Sequence, residues 1–293
     1  MLNSLSKIGN GIRLRDGRRL AYAEYGKPEG KPIFYFHGLF GSRLERHPDN
    51  SIAISLGARI ITIDRPGCGL SDFKPGRKLL DWPDDVAELA NTLKIDRFAV
   101  VGVSGGGPYV LACAFKIPHR LTTAVLISSL APFDLPKATN GMMWPQRILF
   151  SLARYTPWLL GLPVWMMGFL LRHYSEQYLK QITTLMPEYD RAILSQPEVR
   201  AMLKEDFTEA FRTVPWGCTW EAVLLVRPWG FRLEDIIVKI HLWQGDKDVN
   251  VPLQMGQYMA SAILNCHATF CPGEGHLLFF NRWQEILAVL TLD

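Results

Sequence analysis

The sequence predicts an α/β fold with a mostly parallel central sheet, helices on both faces and an inserted helical cap. Short apolar runs rich in β-branched and aromatic residues alternate with helix-like segments along most of the chain. The alternation stops between about Leu135 and Asp235, where the sequence looks helical throughout. The chain has 293 residues, of which 48% are hydrophobic and 20% charged, so it holds enough apolar material for a large core.

The predicted strands are almost continuously hydrophobic, a pattern typical of strands that are covered on both faces. Two extended runs within residues 11–26 meet at Asp16-Gly17, a pair that accepts the positive φ values of a tight hairpin. Six later runs are predicted to be strands: residues 32–37, 58–64, 97–103, 121–128, 238–244 and 267–271. Because helices separate these runs, we expect the strands to pair in parallel.

Helix-like segments lie between the predicted strands. In residues 81–95, Asp81 can cap the helix, Pro83 fits its first turn, and apolar residues recur at helical spacing. Residues 106–117 and 281–292 show a similar pattern. These segments predict the helices that cover the two faces of the sheet.

The helical stretch divides the chain into three predicted parts: a first core part over 1–134, a cap over 135–235 and a second core part over 236–293. Prolines in the cap predict short or kinked helices. Six tryptophans lie in the cap: Trp144, Trp158, Trp165, Trp216, Trp220 and Trp229. With the methionines and leucines, they predict either an apolar substrate pocket or packing of the cap on the core, and the sequence leaves both open.

Charge and cysteine content argue against several classes of function. The net charge of +4 is small and the basic clusters are interrupted, which argues against a nucleic-acid partner. Five cysteines are scattered along the chain: Cys68, Cys113, Cys218, Cys266 and Cys271. Their spacing fits neither a disulfide framework nor zinc ligation, so we expect reduced thiols and no metal site. The N-terminal stretch lacks the apolar region of a secretory signal, and we expect a cytoplasmic protein.

The most apolar stretch of the chain, residues 158–171, is a candidate for membrane contact. It has 14 residues, contains Pro163 and is flanked by Arg154 and Arg172. It is too short to span a bilayer. Contact with a membrane surface is an alternative that the sequence leaves open.

Residues 102–106, Gly-Val-Ser-Gly-Gly, fit the pattern G-x-S-x-G between a predicted strand and a predicted helix. A turn this sharp holds its serine in a strained backbone conformation and needs small neighbours. It lifts the Ser104 hydroxyl clear of the sheet and leaves the Gly105 amide at a helix N-terminus, where anions are stabilised. An isolated match is as often a flexible turn as a catalytic corner, but this context predicts that Ser104 is a nucleophile.

A nucleophilic serine needs a base to remove its proton, and His276 has the best position among seven histidines. It follows the last predicted strand and precedes the last predicted helix. The base needs an acid to hold its tautomer. Asp248, after the preceding strand, is the first candidate; Asp134, after the strand that follows the nucleophile helix, is the second; Asp246 is the third and could equally be a turn residue.

The order Ser104, Asp248, His276 resembles that of the α/β-hydrolase superfamily, and the resemblance runs from about residue 11 to the end. The stretches "FYFHGLFGS", "DRPGCGLSD" and "GDKDVNVP" add to it. The resemblance implies the α/β-hydrolase fold and an oxyanion hole formed by the amides of Leu39 and Gly105. The cap resembles no particular subfamily.

The resemblance also implies which residues take part in chemistry. His37 is expected to order its loop and Asp64 to anchor a turn, without catalytic roles. A serine nucleophile implies an acyl-enzyme formed from an ester, lactone or thioester, with no cofactor or metal. We therefore expect a serine esterase with a small to medium lipophilic substrate. Two alternatives stay open: a C–C bond hydrolase that uses the same triad, and a ligand-binding protein with little turnover.

Overall fold

The computed structural model describes residues 9–135, 138–213 and 216–292, so the first eight residues of the predicted first core part lie outside it. Within these ranges one sheet has the strand order β1-β2-β4-β3-β5-β6-β7-β8. The strands are β1 (Asn10–Arg13), β2 (Arg19–Gly26), β3 (Lys31–Phe36), β4 (Ala58–Ile63), β5 (Phe98–Val103), β6 (Leu121–Ile127), β7 (Ile240–Gly245) and β8 (Cys266–Cys271). The pairs β1–β2 and β2–β4 are antiparallel and the other pairs are parallel. The predicted mostly parallel sheet is confirmed.

The observed strands coincide with the predicted apolar runs to within a few residues. The predicted hairpin joins β1 and β2, and Gly17 in its turn has a φ of +87°. Side chains alternate between the two faces along β3: Phe34 and Phe36 enter one apolar cluster, and Ile33 and Tyr35 enter the other. Burial on both faces explains the continuous hydrophobicity of these runs.

Helices cover both faces of the sheet. They are α1 (Ser51–Ser55), α2 (Trp82–Thr92), α3 (Gly107–Lys116), α4 (Trp144–Tyr155), α5 (Gly161–His173), α6 (Ser175–Leu185), α7 (Glu188–Leu194), α8 (Pro197–Ala210), α9 (Trp216–Val226), α10 (Leu253–Ala262) and α11 (Leu278–Thr291). Helices α2, α3 and α10 contribute to the cluster on one face, and α1 and α11 to the cluster on the other. The predicted α/β class is therefore confirmed.

Helices α4 to α9 lie between β6 and β7 in the chain, and we call residues 138–235 the helical insertion. The helices α4 and α8 each carry a proline in the first turn, where the missing N–H costs nothing. Helix α9 joins the main apolar cluster through Ala222, Val223 and Leu225, so it packs directly on the core. Among the described residues, no helix is long and apolar enough to cross a membrane.

Candidate active site

The three predicted site residues follow the carboxyl ends of neighbouring parallel strands. Ser104 follows β5, Asp248 follows β7 and His276 follows β8, while β6 lies between β5 and β7. The carboxyl ends of parallel strands meet at one edge of a sheet, and in open α/β sheets ligands bind there. The strand order thus brings together side chains that are up to 172 positions apart (276 − 104).

Ser104 occupies a sharp corner between β5 and α3. Its φ is +53°, a left-handed conformation that is strained for a residue other than glycine. The corner depends on close backbone contact, because a Cβ at Gly106 would lie 2.1 Å from the carbonyl oxygen of Phe36. The strain expected from the glycine pattern is thus present at Ser104.

A short segment after β6 contacts both Ser104 and His276. The N–H of Leu130 donates to the carbonyl oxygen of Ser104 at 3.2 Å. The hydroxyl of Ser128 donates to the carbonyl oxygen of His276, also at 3.2 Å. Within the described part of the chain, no hydrogen bond joins the Ser104 hydroxyl to His276.

Asp248 holds the ring of His276 in a defined orientation. Its Oδ2 lies 2.9 Å from Nδ1 of His276 and also accepts a hydrogen bond from Nε2 of Gln244 at 3.1 Å. Its Oδ1 accepts the N–H groups of Asn250 and Val251, both at 2.8 Å. With Nδ1 as donor to the carboxylate, Nε2 of His276 is left as the proton acceptor.

The charges around His276 favour its protonated form. Burial is the largest single effect and would lower the pKa of this imidazole, but the charge and hydrogen bond of Asp248, together with the charges of Asp190 and Glu45, outweigh it. The result is a raised pKa. A site of this kind stabilises the imidazolium that forms when a histidine accepts a proton from a serine.

The two other acid candidates lie elsewhere. Asp134 is exposed, and no hydrogen bond joins it to His276 among the described residues. Asp246 accepts the N–H of Gly273 at 2.7 Å and so closes a turn between two loops. Of the three carboxylates, the structure brings Asp248 to His276.

The amides predicted for an oxyanion hole lie next to each other. A Cβ placed on Gly105 would be 3.0 Å from the backbone nitrogen of Leu39. Within the described ranges, the N–H of Leu39 has no acceptor. Gly105 belongs to the first helical turn after β5, where N–H groups lack intrahelical acceptors. Both amides are therefore available to an anion beside Ser104.

His37 and Asp64 are buried and order the surrounding loops. Nδ1 of His37 contacts the carbonyl oxygen of Gly38 at 2.9 Å, and burial holds the pKa of His37 well below its ordinary value. A neutral ring donates from Nδ1 and accepts at Nε2, where the N–H of Arg65 contacts it at 3.4 Å. Asp64 accepts the N–H groups of Arg43 (2.6 Å) and Leu70 (2.8 Å).

Asp190, on α7, is a site residue that the sequence analysis missed. Its carboxylate is fully buried and accepts the N–H of His276 at 3.1 Å and the N–H of Leu277 at 2.9 Å. These are orphan N–H groups just before α11, so Asp190 acts as a remote helix cap. Helix α11 begins at Leu278, three residues before the predicted start at residue 281. The contact joins residues that are 86 positions apart, and no local sequence pattern predicts it.

Glu45 is a second residue that the sequence analysis missed. Its Oε2 accepts the N–H of Gly38 at 3.0 Å, and its Oε1 accepts the hydroxyl of Tyr35 at 2.7 Å. Burial raises the pKa of Glu45, partly offset by these donors. The contacts fix the loop that carries Leu39.

Glu221 of α9 links the helical insertion to the core. Its carboxylate accepts hydrogen bonds from Arg65, from Arg77 and, at 2.8 Å, from the hydroxyl of Tyr109. Arg65 also donates to the carbonyl oxygens of His37 (2.6 Å) and Gly38 (2.9 Å). The loop after β3 that carries Leu39, the core and α9 are thus joined through the buried guanidinium group of Arg65.

An open cleft of about 900 Å³ is lined in part by Asp248, but neither Ser104 nor His276 lines it. Its walls include Tyr189, Lys247 and Gln254.

All five cysteines are free. Among the described residues, no three His, Cys, Asp or Glu side chains are grouped so that they could hold a metal ion.

Comparison with known families gives one match that covers most of the chain. Residues 33–289 match the family described as the alpha/beta hydrolase family. A non-heme chloroperoxidase from Streptomyces lividans is 32% identical over 131 residues, which are 44% of this chain and 48% of that protein. A bifunctional esterase/perhydrolase, DCH, from Acinetobacter calcoaceticus is 27% identical over 48% of this chain and 52% of that protein. The chain spans about half the length of these two relatives.

A solved structure matches along almost the whole chain. The esterase EaEST from Exiguobacterium antarcticum has a TM-score of 0.70 and 18% identity, with 96% of this chain and 97% of that chain covered. At this identity the match concerns the fold alone. It agrees with the α/β architecture described above.

Proposed function

The chain belongs to the α/β hydrolase family, and from this premise we propose that it is a serine hydrolase that cleaves a carboxylic ester, lactone or thioester. The substrate is small to medium and lipophilic, and the reaction passes through an acyl-enzyme on Ser104. The proposal rests above all on the hydrogen bond of 2.9 Å between Asp248 and His276, at the sheet edge where the strained Ser104 also lies.

The proposed reaction begins with proton transfer from the Ser104 hydroxyl to Nε2 of His276 as the serine oxygen attacks the substrate carbonyl. Asp248 keeps Nδ1 protonated and stabilises the imidazolium. The amides of Leu39 and Gly105 donate to the oxyanion, and removal of one such donor typically costs about 3 kcal/mol of transition-state stabilisation.

The tetrahedral intermediate then expels the alcohol, which takes the proton from His276. Water enters, His276 removes one of its protons, and the hydroxide oxygen attacks the acyl carbonyl. Collapse of the second intermediate breaks the bond to Ser104, whose oxygen takes the proton back from His276, and releases the acid. No group beyond the protein and water takes part in this sequence.

The side chains above the proposed oxyanion hole support a lipophilic substrate. The Cδ1 atom of Leu225, on α9, would lie 3.3 Å from a Cβ on Gly105, and the side chain of Leu39 is equally close to that position. Apolar side chains at this position exclude water and so strengthen the hydrogen bonds to a developing oxyanion. The three-part organisation with a cap over 135–235 is part of the proposal, and the cytoplasmic location stays a prediction from the sequence.

A panel of p-nitrophenyl esters from acetate to octanoate tests the proposal. We expect turnover that rises with acyl length, and a loss of about 10⁴-fold or more in Ser104→Ala and about 10⁴-fold in Asp248→Asn. Asp134→Asn is the matched control and should keep the wild-type rate. Wild-type turnover by Ser104→Ala, or equal losses in the two aspartate variants, would contradict the assignment.

Hydrogen peroxide is a second candidate for the group that attacks the acyl-enzyme, because one relative is named a bifunctional esterase/perhydrolase. Peroxide oxygen would then form the new bond to the acyl carbon and yield a peracid in place of the acid. Measurement of peracid with an ester and peroxide present decides the question. Peracid formation that depends on Ser104 supports this candidate, and acid as the only product eliminates it.

A further inference from the structure

Helix α5 is apolar on two opposite faces, only one of which is covered. Val164, Gly168 and Leu171 are buried against the rest of the insertion. On the other side, Leu162 is 70% exposed, and Trp165 and Met166 are also exposed. A helix that is hydrophobic all round is normally buried or in contact with lipid.

The exposed apolar surface continues on either side of α5. The turn just before it exposes Leu159 and also Trp158, which is 75% exposed, and Tyr155 is exposed at the end of α4. Trp216, 61% exposed, contacts Gly161, where a Cβ would lie 3.7 Å from its ring. We call these residues the aromatic face: Tyr155, Trp158, Leu159, Leu162, Trp165, Met166 and Trp216.

The stretch of sequence that carries most of the aromatic face has basic residues and no acidic ones. From Leu135 to Ser175 the sequence has no Asp or Glu, and Asp134 and Glu176 are the nearest acids along the chain on either side. Within this stretch Arg147, Arg154 and Arg172 are exposed. The aromatic face is therefore accompanied by cationic side chains without nearby acidic residues in its own stretch.

Exposed aromatic residues together with arginines favour one kind of binding partner. Tryptophan and tyrosine side chains favour the headgroup level of a membrane, and arginines are attracted to anionic lipids. A second copy of this chain fits less well, because a two-fold contact would bring the arginines of this stretch in both copies together, and the stretch itself supplies no acid to pair with them. We propose that the aromatic face docks on an anionic phospholipid surface.

Docking would bring lipid to the outer side of the proposed site. Helix α5 packs against α8 and α9. Helix α9, through Leu225, lies over Gly105. Membrane binding is a separate property from the proposed ester cleavage, so an experiment can contradict one proposal and leave the other standing.

Sedimentation with vesicles of phosphatidylcholine alone or mixed with phosphatidylglycerol (3:1) tests the proposal. The test variant is Trp158→Gln combined with Leu162→Gln. The matched control is Leu264→Gln, because Leu264 is 84% exposed but lies between α10 and β8, far along the chain from the insertion. Hydrolysis of a soluble ester and the thermal midpoint are measured for all proteins, and both should stay unchanged because none of these residues is buried.

We expect the wild type and Leu264→Gln to bind the anionic vesicles, with binding that weakens as salt is added. The double variant should bind at least tenfold less, and phosphatidylcholine alone should bind the wild type less well. Equal binding of the double variant, or no binding of the wild type to anionic vesicles, would overturn the proposal. So would a wild-type dimer that the double variant dissociates, since the face would then be a contact between copies.

Discussion

Helices α5 and α9 of the insertion have similar apolar sequences and opposite surroundings. Nine of the eleven residues of α9 are buried, whereas three of the thirteen residues of α5 are. The difference lies in specific contacts. A Cβ on Gly217 of α9 would lie 2.0 Å from the carbonyl oxygen of Gly67, and Glu221 is bound by Arg65 and Arg77. Helix α9 is thus held by close backbone contact and by a buried charge, neither of which composition reveals.

The largest expected effect is at Glu221. Glu221→Gln leaves two buried guanidinium groups without their carboxylate, and loss of one partner from a buried ion pair typically costs about 3–5 kcal/mol. We expect this loss in the free energy of unfolding by urea. Glu176→Gln is the control, because this α6 carboxylate is exposed beside Lys204, and its unfolding midpoint should not change. Equal midpoints for both variants would contradict the anchoring of α9.

Lowering the pH tests the same anchoring of α9 in a second way. Burial would raise the pKa of Glu221, but Arg65 and Arg77 outweigh burial and lower its pKa from 4.5 to about 2. A lowered folded-state pKa contributes stability that is complete above 4.5 and is lost as pH falls toward about 2. The difference in unfolding free energy between the wild type and Glu221→Gln should therefore shrink over this range. A constant difference would show that the Glu221 charge does not stabilise the fold.

The two faces of α5 allow a matched pair of leucine substitutions. Leu171→Ala removes a buried side chain and should cost about 2–5 kcal/mol in the free energy of unfolding. Leu162→Ala removes the same atoms from the exposed face and should change it by less than about 0.5 kcal/mol. Urea unfolding of both variants measures the contrast. A large cost at Leu162 would mean that the aromatic face is covered within the protein itself.

A third helix of the insertion, α7, extends the comparison to the proposed reaction. Asp190→Asn keeps one acceptor for the N–H groups of His276 and Leu277 but removes the charge. We expect kcat/KM to fall about tenfold, because small displacements of a base are costly. The pKa of His276 should also fall, since Asp190 helps to raise it, so the acidic limb of the pH profile should move to lower pH.

Asp246→Asn is the control for this experiment, because Asp246 closes a turn at Gly273 without contact with the His276 backbone. It should leave both the rate and the acidic limb in place. A lower rate in Asp190→Asn with an unmoved acidic limb would mean that Asp190 supports the fold without tuning the base.

Local signals explain which parts of the site the sequence could predict. The glycines around Ser104 and the loops after β7 and β8 indicate candidate catalytic residues within a few positions of the strand ends. The sequence left Asp248 and Asp134 both open as the acid because each follows a strand. Only the three-dimensional course of the loops brings Asp248, and not Asp134, to the ring of His276.

Two of the residues that the sequence analysis missed act across long separations. Asp190 reaches His276 over 86 positions, and Glu221 reaches Arg65 over 156. The tryptophans of the predicted cap show a second limit of prediction from sequence. An apolar pocket or packing on the core were the two alternatives, yet Trp158, Trp165 and Trp216 are exposed. Periodicity shows that a helix is apolar, but it does not show what covers it.

Intact-mass measurement after treatment with a fluorophosphonate tests the central claim, an activated nucleophile at Ser104, most directly. Wild type, Ser104→Ala and Ser195→Ala are compared, the last as a control at an exposed serine of the insertion. The account predicts one stoichiometric adduct on the wild type and on Ser195→Ala and none on Ser104→Ala. An adduct that persists on Ser104→Ala, or a well-folded wild type that forms none, would contradict it.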